Sequence, residues 1–85
     1  MTKTITLYDL RIFYNEGNAA VTFQADVYTY GDSTKLFEFG TKKYIYDGET
    51  TFDEFLMMFV DELVETAKDI LNMDIEKYTY LLYKI

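Results

Sequence analysis

Two pairs of adjacent carboxylates, Asp53 with Glu54 and Asp61 with Glu62, are the residues in this chain best placed to do chemistry. Two carboxyls with separated pKa values can divide the work of general acid and general base. The chain has no histidine and no cysteine, so beyond these acids only Lys, Tyr, Ser and Thr remain for proton transfer or nucleophilic attack. Raising a carboxyl pKa requires burial, and a domain of 85 residues has little interior to give. The pairs therefore read as a solvated face, and the chain reads as a non-enzyme.

Metal binding is the next chemistry to weigh, because Asp47, Glu49, Asp53 and Glu54 bring oxygen ligands close together. An EF-hand loop needs acids at alternate positions and a glycine at the sixth, a spacing this stretch does not follow. Glu54 also has a capping role that accounts for it. No metal or cofactor is expected.

The two carboxylate pairs sit on the stretch Thr51 to Asn72, whose local signals agree on a helix. Thr51 and Glu54 have the spacing of a capping box, in which the hydroxyl accepts from the Glu54 amide and the carboxylate accepts from the Thr51 amide. Asp53 and Glu54 lie in the first turn, where the helix dipole favours anions. At helical spacing, Phe52, Leu56, Phe59, Leu63, Ala67 and Ile70 share one face, widened by Phe55, Val60, Val64 and Leu71. The opposite face collects Glu54, Asp61, Glu62, Glu65 and Asp69 with Met58 among them, and Lys68 is its one cation. Six acids against one base in this segment account for most of the formal net charge of −7.

The rest of the chain reads as strands. Thr4 to Tyr14 is one, with its apolar parity slipping between Leu7 and Leu10, so a bulge near Tyr8 and Asp9 is expected. Asn15 to Asn18 form a turn in which Gly17 can take positive φ. Ala19 to Tyr30 alternates cleanly, with Ala19, Val21, Phe23, Ala25 and Val27 inward. After a turn at Gly31 to Thr34, Lys35 to Tyr46 forms a third strand with Phe37 and Phe39 inward and a bulge at Gly40; a turn at Gly40 to Lys42 that splits the segment is the alternative. Glu76 to Ile85 reads as a last strand, with helix continuation as its rival.

The expected fold is thus α+β. A single domain over residues 1–85 has a four-stranded, mainly antiparallel sheet, βββαβ in order 3-2-1-4, with one helix packed on one face. That leaves a sheet face open, and Tyr28, Tyr30, Tyr44 and Tyr46, with Tyr78 and Tyr80, fall in the predicted strands. Exposed rings on a sheet could stack RNA bases, but Lys42, Lys43 and Lys77 are too few for such a platform amid the acids. Tyr28, Tyr30, Tyr44 and Tyr46 instead form a possible secondary protein interface, since tyrosine is enriched at such surfaces. Met58 on the acidic face has the pattern of an apolar centre with a charged rim.

Composition sets the remaining bounds. A hydrophobic fraction of 49% excludes disorder, while a pI near 4.3 argues against direct contact with nucleic acid. The start MTKTITLYDL lacks the pattern of a signal peptide, and no run approaches the length of a membrane span, so a cytoplasmic protein is expected. In size, acidity, lack of histidine and cysteine, and tyrosine content, the chain resembles the small phage-encoded inhibitors of nucleic-acid-binding proteins, among them anti-CRISPR proteins and DNA mimics. The resemblance is one of class, with no shared motif. It implies the host cell cytoplasm, a basic partner such as a nucleic-acid-binding protein or nuclease, and a partner-binding surface of Asp53, Glu54, Met58, Asp61, Glu62, Glu65 and Asp69 standing where phosphates otherwise lie. The alternative is a homodimer or larger homo-oligomer, an accessory module joined through the tyrosine-rich sheet face.

Overall fold

Aliphatic and aromatic side chains on one face of a helix and on one face of a sheet interdigitate to make the core of this protein. The computed structural model describes residues 7–72 and 77–85. The strands are β1 (Tyr8–Glu16), β2 (Ala20–Thr29), β3 (Lys35–Ile45) and β4 (Tyr78–Lys84), and helix α1 (Phe52–Leu71) falls between β3 and β4. The sheet order is β3-β2-β1-β4, with β1 antiparallel to β2, β2 antiparallel to β3, and β4 parallel to β1. The expected βββαβ order therefore holds, with a mixed sheet. Expected strand residues 4–6, the link at 73–74 and the strand start at 76 lie outside the described residues.

Helix α1 begins where its chemistry says it should. Thr51 Oγ1 accepts from the Glu54 amide at 3.2 Å, and Glu54 Oε1 accepts from the Thr51 amide at 3.3 Å. Asn72 ends the helix in the left-handed conformation, φ 50°. Its inner face buries Phe55, Leu56, Phe59, Val60, Leu63 and Ala67. Ile70, assigned to that face by spacing, is instead 58% exposed. Phe59 stacks on Phe23 at 5.2 Å and meets Phe39 edge-on at 5.4 Å, while Phe52 packs on Phe23 and Tyr14. Each such pair adds to stability beyond the area it buries.

Two local expectations change and a third holds. The register of β1 runs unbroken from Tyr8↔Thr29 to Glu16↔Val21, so no bulge falls at Tyr8 and Asp9. Leu7 precedes the strand and uses its carbonyl to accept from Tyr30, which removes the parity conflict. Gly17 turns without positive φ; the glycines that take it are Gly31 and Gly48. β3 is one continuous strand with a bulge at Gly40 and Thr41, since Phe39 pairs with Ala25 whereas Lys42 pairs with Phe23. Gln24 thus faces two residues, and the alternative of a turn at Gly40 to Lys42 is not what forms.

That extra residue has a large effect. Past the bulge the parity of β3 reverses, so Lys42 and Tyr44 join Phe37 and Phe39 on the helix side. Tyr44 then stacks on Phe55 at 5.2 Å, and Lys42 forms an ion pair with Glu62. α1 approaches β2 and β3 most closely, and Phe52 reaches Tyr14 of β1. No helix among the described residues is long and apolar enough to cross a membrane.

Candidate functional site

The outward face of α1 holds the predicted carboxylates in a strip. Asp53, Glu54, Asp61, Glu65 and Asp69 are exposed, and Glu62 is half-buried on the side of the strip nearest β3. From Asp53 to Asp69 the helix rises about 24 Å at roughly 1.5 Å per residue. Six carboxylates over that length give one charge per about 5 Å, against about 3.4 Å per phosphate along one strand of duplex DNA. The strip is therefore a coarser line of charge of the same order.

Neutralisation within the chain is slight. Lys42 pairs with Glu62, and this contact holds the Lys42 ammonium above its ordinary pKa. Glu54 is engaged by Thr51 in the cap. Asp53, Asp61, Glu65 and Asp69 make no ion pair among the described residues. The sheet differs: Arg11 contacts Asp9 at 3.4 Å, and Lys35 contacts Asp26 at 3.5 Å and Glu38 at 3.4 Å. Arg11 and Lys35 thus pair three acids of the sheet, while four of the six helix acids stay unpaired among the described residues.

Met58 stands in the strip as spacing predicts, 53% exposed, and Met57 beside it is 48% exposed. Sequence reasoning named only Met58. Met57 lies one residue back, toward the same side as Asp53 and Asp61 at 100° per residue, a position the same geometry gives. The two thioethers make a flexible apolar centre bordered by carboxylates, a combination that adapts to varied partner surfaces.

The four tyrosines named for a second interface do not share a face. Tyr28 is on the sheet face away from the helix, with the Arg11 guanidinium 3.9 Å from its ring centroid. Tyr30 is exposed in the turn after β2. Tyr44 and Tyr46 are on the helix side, packed on Phe55, and the Tyr46 hydroxyl donates to the Glu16 carboxylate. That bond lifts the Tyr46 phenol to a pKa of about 12.

The loop before the helix uses its acids internally. Asp47 Oδ1 accepts from the amides of Thr50 at 2.7 Å and Glu49 at 2.9 Å, and Oδ2 accepts from the Thr50 hydroxyl at 2.9 Å. These donors hold the Asp47 carboxyl down at about 2. Together with the capping role of Glu54, they occupy acids considered above as metal ligands. Among the described residues, no group of three or more His, Cys, Asp or Glu side chains is arranged to hold a metal ion. Comparison with protein-family models, with curated proteins and with solved structures finds no match for this chain.

Proposed function

We propose that this protein binds a basic protein through the outward face of α1, occupying a surface that otherwise holds nucleic-acid phosphates. The observation that supports this reading is the distribution of charge: among the described residues, Asp53, Asp61, Glu65 and Asp69 of the helix make no ion pair around Met57 and Met58, whereas Asp9, Asp26 and Glu38 of the sheet do. A face with one sign of charge speeds encounter with an oppositely charged surface and selects against acidic ones. The methionines supply the desolvated centre that charge alone does not give. Inhibition of a nuclease or nucleic-acid-binding protein follows from such occupancy, in the manner of the small phage-encoded inhibitors that the chain resembles. No catalytic step is assigned to it.

The test uses the immobilised protein and the variant carrying Asp61→Lys, Glu65→Lys and Asp69→Lys, with binding read at ~0.05 M and ~0.5 M salt. Basic proteins captured by the natural chain at low salt should be released at high salt and by added DNA or RNA. Capture by the variant should fall by about 10-fold or more. Capture that survives charge reversal, or that nucleic acid does not compete, would overturn the reading.

A further inference from the structure

The two edges of the sheet are built differently, and the difference points to a second binding event. β3 is guarded as solvent-facing edges are. It carries Lys35, Lys42 and Lys43, and its pairing with β2 is broken at Gly40–Thr41 and again at Leu36. β4 has none of these devices. Its sequence, YTYLLYK, holds a single charge at its last residue, and its register with β1 runs unshifted from Tyr8↔Tyr78 to Tyr14↔Lys84.

β4 is also apolar on both of its faces. Tyr80 and Leu82 pair with Leu10 and Ile12 and so share the helix side, while Leu81 and Tyr83 lie on the opposite side, where Tyr83 stacks on Phe13 at 5.2 Å. No Cα of α1 comes within 8 Å of this strand. Tyr80, Leu81, Leu82, Tyr83 and Ile85 are left 40–68% exposed. A strand that is apolar on both faces has the composition of an interior strand, flanked on both edges and covered.

The open edge carries a defined set of hydrogen-bonding groups. Lys77 accepts from the Tyr8 amide at 3.0 Å, and the Ile85 amide donates to Tyr14 at 2.8 Å. Odd-numbered residues of β4 therefore direct their backbone toward β1, and Tyr78, Tyr80, Leu82 and Lys84 direct theirs outward.

We propose that β4 is the dimer strand of this protein: two copies pair β4 with β4 in antiparallel fashion about Leu81, and the two sheets become one. In this register Tyr80 faces Leu82 of the second copy and Tyr78 faces its Lys84, so the outward-directed backbone groups satisfy one another. Leu81 meets Leu81 at the two-fold axis as a non-hydrogen-bonded pair, with Cα atoms about 4.5 Å apart. Charge selects this arrangement over a parallel one. Parallel pairing in the same register would set Lys84 against Lys84, whereas the antiparallel form sends the two ammoniums to opposite ends, ~20 Å apart at about 3.4 Å per residue. Residue parity also keeps both helices on the same side of the joined sheet. At roughly 200 Å² for a large side chain, five half-exposed side chains present on the order of 500 Å² per copy. Two copies present about 1,000 Å², the lower bound for a specific interface. The surface is distinct from the acidic strip and from the four tyrosines named above.

Sedimentation equilibrium of the full chain over a range of concentrations should show a monomer–dimer equilibrium. Leu81 is 56% exposed, so Leu81→Lys should leave the fold intact by circular dichroism while placing two ammoniums at the axis. It should weaken the dimer on the order of 100-fold. Because the natural chain has no cysteine, Leu81→Cys gives a single thiol whose spacing across the axis suits a disulfide. Mild oxidation should cross-link it, and should not cross-link Ile45→Cys on the β3 edge. A natural chain that stays monomeric at all concentrations, a dimer indifferent to Leu81→Lys, or cross-linking at Ile45→Cys as readily as at Leu81→Cys would each overturn the proposal.

Discussion

Asp47 shows how one side chain can organise the approach to the helix that carries the proposed binding strip. Its two carboxylate oxygens take the Thr50 and Glu49 amides and the Thr50 hydroxyl, so the residues just before Thr51 are held in place for the cap. Ionised oxygens accept these bonds better than a neutral acid does, which is why the pKa falls from 3.8 to about 2. A carboxyl depressed in the folded state contributes stability that is present above its unfolded pKa and is lost as pH falls through its folded one. The contribution of Asp47 should therefore be complete above about pH 4 and disappear toward pH 2. Asp47→Ala should lower the urea midpoint at neutral pH, with the difference from the natural chain closing across that acidic window. The difference should be modest, since the loop is exposed and solvent screens its charges. A gap that stayed constant down to the acid limit would mean that the carboxylate's charge has no part in it. Thr51 and Glu54 were legible at this scale because a cap is local chemistry at fixed spacing. The bonds of Asp47 were not, because they depend on a loop conformation that includes the positive φ of Gly48.

Among the elements, β3 decides how the sheet meets the helix, and its bulge is the deciding residue. The sequence marks the place, since Gly40 interrupts an otherwise apolar alternation, but not which face the residues beyond it take. Alternation continued from Phe37 and Phe39 would turn Tyr44 and Tyr46 outward; one extra residue turns them onto Phe55 instead. Sheet order, strand polarity, helix bounds and the inward set Val21, Phe23, Ala25 and Val27 were all readable, because each follows from periodicity or from a cap within a few residues. Face assignments past an irregularity were not, because a single inserted residue exchanges inside and outside for everything that follows. Inserting one alanine after Thr41 tests this directly. The lengthened strand would set Tyr44 outward and separate Lys42 from Glu62, losing the Tyr44–Phe55 stack, of a kind worth ~0.5–1.5 kcal/mol beyond the area it buries. Against a total of roughly 5–15 kcal/mol for a domain, thermal denaturation should show a clear loss. Deleting Thr41 instead leaves Gly40 alone opposite Gln24 and keeps Lys42 and Tyr44 on the helix side, so it should cost less than the insertion. If insertion and deletion behave alike, the bulge does not set the register.

Taken over the whole molecule, the charge pattern works against the fold that displays it. A formal charge of −7 on 85 residues is self-repelling, and the strip concentrates it. Asp61, Glu65 and Asp69 follow one another at i,i+4 spacing, where like charges destabilise a helix by about 0.2–0.5 kcal/mol per pair. A surface selected only for solubility would intersperse more cations here, where Lys68 stands alone, as the sheet does with Arg11 and Lys35 around Asp9, Asp26 and Glu38. Retention of repulsive neighbours is the expected signature of a face whose charge serves recognition, since function is commonly kept at a cost in stability. Stability and binding should then respond in opposite directions to the same change. Glu65→Lys exchanges two repulsive i,i+4 pairs for attractive ones and should stabilise the protein on the order of 1 kcal/mol at low salt, with the gain shrinking as screening rises. Added salt alone should raise the melting temperature of the natural chain while it weakens capture of a basic partner. Thermal melts of both chains across a salt series, run beside the capture assay, separate loss of the interface from loss of the fold. If Glu65→Lys instead destabilises the chain, the carboxylate is part of the molecule's own structure, and the strip loses its standing as a surface held open for a cationic partner.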